Sequence, residues 1–132
     1  MQAFLEEAKR TSRTIANLST AVKNKVLNDM ADALMDHCDF IVSKNNQDMF
    51  EAKKHNLDEA LLDRLLLTGD RVKSMSDAIR QIASQQEPVG RILDGWVTED
   101  GLNIQKVSIP IGVIGIIYES RPNVTSDTAA LC

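Results

Sequence analysis

Apolar positions recur at helical spacing along the first two thirds of the chain. Val22, Val26, Met30, Leu34, Cys38 and Ile41 follow one another at steps of four and three, a stripe on one face of a helix, and that face is expected to be buried. Ahead of it, Phe4, Leu5, Ala8, Ile15 and Leu18 form a looser amphipathic pattern, with Ser19 or Thr20 as the N-cap of the second helix. The stripe breaks at 36–39, where an Asp can cap a third helix. Its inner face carries Ile41, Asn45, Met49 and Ala52, and it stops at His55 and Asn56. Asp58 opens a short Leu-rich fourth helix. Thr68 caps a fifth, with Val72, Met75, Ile79, Ile82 and Ala83 on its apolar side and residues 85–88 ending it.

Beyond Pro88 the period changes. Trp96, Val97 and Thr98 face Leu102, Asn103 and Ile104 across Asp100-Gly101, a hairpin signal because both turn residues tolerate positive φ. Residues 111–118 are almost continuously apolar and β-branched, as in a strand buried on both faces of a parallel sheet. A polar loop with Pro122 follows, and a helix begins near Val124. The fold class is therefore α/β: a helical region over 1–95, a hairpin over 96–110, and a first sheet strand, loop and helix start over 111–132. Such a strand needs neighbours on both edges, and the pattern offers none. The 132 residues are expected to be the front portion of a longer α/β protein.

Composition narrows the function classes. At 43% hydrophobic and 26% charged the chain is too apolar for intrinsic disorder. A formal charge of −4 lacks the broad positive field that nucleic-acid backbones require, so no nucleic-acid partner is expected. No apolar run reaches the roughly 18 residues of a membrane span, and the first ten residues have no signal-peptide core, which predicts a cytoplasmic protein without a membrane partner. Two cysteines and two histidines, Cys38, Cys132, His37 and His55, make neither a disulfide framework nor a zinc site.

The loop after the apolar run is the best candidate for chemistry, because ligands of open α/β sheets sit beyond the carboxyl ends of the strands. Arg121 offers a guanidinium to phosphate or carboxylate, and the Asn123 amide can donate to a developing oxyanion. Pro122 and Asn123 also fit a plain helix start, with Asn123 as N-cap. Gly112 and Gly115 lack dinucleotide-fingerprint spacing and read as places where another element approaches closely. Cys132 reads as a buried structural thiol and His37-Cys38 as a packed pair.

The run Tyr118-Glu119-Ser120-Arg121-Pro122-Asn123-Val124-Thr125, with the preceding residues from Ile109, Ala60 to Leu65, and Lys106-Val107, resembles the gamma-glutamyl phosphate reductases of the aldehyde dehydrogenase superfamily. The resemblance covers essentially the whole chain. It implies a Rossmann-like parallel sheet when complete, NADP(H) as cofactor, glutamyl phosphate as substrate, and a place in proline biosynthesis. It also implies that Asn123 is the oxyanion donor, that Tyr118, Glu119 and Ser120 line the nicotinamide side, and that 1–95 clothes the cofactor domain. The hairpin over 96–110 would be an assembly arm in a homo-oligomer. The catalytic cysteine falls outside these residues, so the 132 residues alone are expected to be inactive. A reading of a different class is a free-standing helical interaction module with an apolar docking tail.

Overall fold

A computed structural model of the chain describes residues 2–119 and 121–132. Eight elements follow in order: α1 (Gln2–Ile15), α2 (Thr20–Asp36), α3 (Cys38–Lys54), α4 (Glu59–Leu65), α5 (Gly69–Ala83), β1 (Ile92–Val97), β2 (Asn103–Val107) and α6 (Pro122–Leu131). They fall into two units, one holding residues 1–20 and 85–115, the other residues 21–84 and 116–132.

The core lies in the second unit. Val72, Met75, Ile79 and Ala83 of α5 are buried as their spacing predicts, and Ile79 packs with Ala31 of α2 and Ala130 of α6. A second cluster joins Leu67, Val72 and Met75 to Cys38, Ile41 and Val42. The α2 stripe is only partly correct: Val22 and Val26 are 44% and 48% exposed, while Leu27, Met30, Ala31 and Leu34 meet the core. Ala31 has the smallest side chain on that face, and Ser76 of α5 donates its hydroxyl to the Ala31 carbonyl at 2.9 Å. Arg80, one turn on, reaches Asn28 and Asp32. The contact line between α2 and α5 is thus set by small and polar groups beside the apolar stripe.

The caps divide the same way. Asp58 accepts from the Leu61 amide at 2.8 Å and Thr68 from Arg71 at 3.2 Å, as the pattern predicts. The third helix starts instead from His37, which makes no side-chain cap bond, so an Asp cap there is corrected. The helix ends as expected: Asn56 turns left-handed at φ 54, with its amide on Lys53 and that of Leu57 on Ala52, a Schellman closure.

In the first unit, β1 and β2 pair antiparallel, Trp96 opposite Ile104 and Val97 opposite Asn103. The ribbon starts at Ile92, ahead of the pattern that announced it. Its turn also differs. The Thr98 carbonyl accepts from Gly101 and the Thr98 amide donates to Leu102, both at 2.9 Å, leaving a three-residue loop. Only Gly101, at φ 83, is left-handed there, whereas a two-residue turn would have needed positive φ at Asp100 too. Both faces of the ribbon are open to solvent, Trp96 at 53% and Val97 at 67%.

The buried parallel strand expected over 111–118 is not formed. These residues carry no strand pairing, and Ile111 and Ile117 are fully or almost fully exposed. A strand needs a hydrogen-bonding neighbour, and β1 and β2, which pair with each other, are the strands among the described residues.

Candidate functional site

The candidate loop leads into α6. Pro122 takes the first helical position, where its missing N–H is no loss, and Arg121 is the N-cap with an extended backbone and no side-chain cap bond. Asn123 is therefore not the cap. Its Nδ2 donates to Asp127 Oδ2 at 2.9 Å, one turn along the same helix, while Ser126 donates to the Asn123 carbonyl. An amide nitrogen has two hydrogens, so this bond orients Asn123 and leaves the second donor available. The Tyr118 hydroxyl lies 2.7 Å from Thr125 Oγ1, which ties the end of the loop to the first turn of α6. Glu119 is exposed, and Ser120 lies outside the described residues.

Arg121, Pro122, Asn123 and Asp127 form one wall of a cleft of about 400 Å³ in the second unit. The opposite wall comes from α4, α5 and the turn between them, through Asp63, Arg64, Arg71 and Met75 among others. Arg71 is committed there: its guanidinium pairs with Asp63 Oδ1 at 2.6 Å, donates to the Leu66 carbonyl at 2.9 Å and also bonds the Asp63 carbonyl. That turn is pinned from α3. Asn45, 4% exposed, donates to the Leu65 carbonyl at 2.8 Å and accepts from the Leu67 amide at 2.7 Å. Arg64 and Arg121 are exposed and make no ion pair among the described residues.

Sequence reasoning pointed to Arg121 and Asn123, which line this cleft, and not to Arg64, Arg71 and Asp127, which line it with them. The Asn123 and Asp127 spacing of four was a usable signal, since residues one turn apart on a helix are neighbours. Arg64 and Arg71 gave no local sign, because only packing brings them opposite the loop. Cys132 is exposed at the end of α6, which corrects its reading as a buried thiol. Cys38 packs against the Leu67 cluster, while His37 is exposed with Nδ1 3.0 Å from the Ala33 carbonyl. Nothing among the described residues lies within 4 Å of a side chain built at Gly112 or Gly115, so no close approach explains them; Gly112 instead takes φ 104.

No family model matches the chain. It is, however, 72% identical over all 132 residues to the gamma-glutamyl phosphate reductase of Aliarcobacter butzleri, covering 32% of that protein. Along its whole length the chain is similar to the gamma-glutamyl phosphate reductase family. Solved reductases of this family share its fold, which is aldehyde dehydrogenase-like. That from Thermotoga maritima superposes with a TM-score of 0.91 at 39% identity, over 96% of this chain and 30% of its own. The enzyme from Saccharomyces cerevisiae gives 0.90 at 31% identity, over 96% and 32%. The chain thus spans about a third of the length of the reductases it matches. No helix among the described residues is long and apolar enough to cross a membrane.

Proposed function

We propose that the protein to which these residues belong reduces L-glutamyl 5-phosphate to L-glutamate 5-semialdehyde with NADPH, releasing phosphate, as a cytoplasmic enzyme of proline biosynthesis. The observation that carries this reading is the 72% identity to a reductase of that name across the whole chain. In this reading a cysteine thiolate from outside the 132 residues attacks the acyl phosphate, and charge develops on the carbonyl oxygen. Asn123 meets that charge with its free amide hydrogen, and Asp127 holds the amide in place beforehand, so little reorganisation is needed as the barrier is crossed. Tyr118, Glu119 and Ser120 line the nicotinamide side. The Tyr118 ring, half open and fixed through its hydroxyl, presents a flat apolar face with a polar edge that suits such a ring. When bound, the nicotinamide supplies the hydride. Residues 111–118 form the first strand of a Rossmann-like sheet once other strands flank them, and the open hairpin around 96–110 joins copies of the protein.

The test is Asn123→Ala in the full-length protein. Removal of one oxyanion donor is expected to lower kcat on the order of a hundredfold to a thousandfold, with the KM for NADPH unchanged. Turnover within threefold of the unmodified enzyme would refute the assignment of Asn123.

A further inference from the structure

Resting on the reductase reading, we infer that Arg64 and Arg121 divide the recognition of the substrate's two anionic ends, Arg121 taking the phosphoryl group and Arg64 the α-carboxylate. The cleft they line holds three guanidinium groups and two carboxylates, from Arg64, Arg71, Arg121, Asp63 and Asp127. Their engagements differ. Arg71 is consumed by Asp63 and two backbone carbonyls. Asp127 is engaged by Asn123. Arg64 and Arg121 are left with five donors each and no ion pair among the described residues, one on each wall of the same cleft.

Position assigns the two ends. Arg121 stands two residues before Asn123, on the wall that carries the oxyanion donor. In an acyl phosphate the phosphoryl group is bonded directly to the reacting carbonyl, so it belongs on that wall. The α-carboxylate is the remote end of the molecule and belongs on the other, where α4 presents Arg64. The α-ammonium between them finds Asp63 and Asp127 as acceptors, which accounts for carboxylates in a cleft that receives an anion. Guanidinium groups suit both tasks because their forked donors match carboxylate and phosphate oxygens in pairs.

The experiment uses the full-length protein in the reverse direction, with semialdehyde, inorganic phosphate and NADP as separate variables. Arg121→Gln is expected to raise the KM for phosphate on the order of tenfold to a hundredfold, the range of a charge-assisted hydrogen bond, and to leave that for semialdehyde within twofold. Arg64→Gln is expected to do the opposite. Arg121→Lys should recover part of the phosphate KM, since it restores charge without the fork. Equal effects of both variants on both constants, or no effect on either, would overturn the division. Phosphate binding followed by 31P line broadening separates this inference from the reductase reading. If the unmodified protein binds phosphate, Arg121→Gln loses it and no reductase activity is found, the reading fails and the phosphate site stands. Binding that is absent in the unmodified protein, or equal in the variant, overturns the site whatever the activity.

Discussion

Asn45→Ala should unlock the wall of the cleft that faces the loop. The side chain bridges the α4 to α5 turn with two bonds, 2.8 Å to the Leu65 carbonyl and 2.7 Å from the Leu67 amide. Leu67 is 7% exposed, so its amide has no ready water to replace Asn45 and its desolvation penalty, about 1 to 3 kcal/mol, is felt nearly in full. The Leu65 carbonyl belongs to a half-buried residue and recovers solvent more easily, losing about 0.5 to 1.5 kcal/mol. Together the expected loss is about 2 to 4 kcal/mol. With a urea slope of about 2 kcal/mol per molar, the middle of the range for a small domain, the midpoint should fall by about 1 to 2 M at unchanged slope. Asn46→Ala, at the exposed neighbouring position, is the control and should stay within about 0.5 kcal/mol. Urea unfolding of the 132-residue chain, followed by circular dichroism, measures both. An Asn45→Ala midpoint indistinguishable from that of the control would show that the two bonds do not hold the turn. Because Leu66 within this turn also accepts from Arg71, the same change should raise hydrogen exchange at Leu67 and Val72 before global unfolding.

Gly101→Ala forces a side chain into φ 83 and should destabilise the hairpin by about 1 to 2 kcal/mol, seen as faster exchange of the Trp96 and Ile104 amides; unchanged exchange would refute the turn geometry. The 132-residue chain alone should show no reductase turnover in either direction, and activity above a blank that vanishes in Cys132→Ser would contradict the placing of the nucleophile outside these residues.

What the sequence disclosed depended on how local the cause was. Asp58, Thr68 and the His55-Asn56 stop act within one turn of chain, so their residue types announced them. The inner face of α5 was legible because its apolar spacing and its packing coincide. The line of contact on α2 was not, since Ala31 is too small to mark a stripe and its importance comes from the approach of Ser76. The run over 111–118 carried a strand's composition, but composition cannot supply the edges that make a strand. At the cleft, the place of Asn123 after the apolar run drew attention to it, but its setting inside the helix was not legible, because the cap fell on Arg121, a residue with no short side-chain acceptor. Arg64 and Arg71 became candidates only through the tertiary pairing of α4 and α5 with the start of α6.

The uncovered run over 111–118 bears on how the protein emerges from the ribosome. Synthesis delivers residues at roughly 5 to 20 per second, so this uncharged segment meets water as it emerges. A long uncovered β-branched segment is a template for chains of its own kind. Here the composition limits that hazard from within. Pro110 withholds an amide at one end, Glu119 places a charge at the other, and Gly112 turns the backbone out of the extended path at φ 104. Gly115 adds a second gap in the side-chain row, where stacked copies would find nothing to interlock. The segment is thus a poorer template for self-stacking than its β-branched composition alone would make it, with a proline and a charge at its ends and two gaps within.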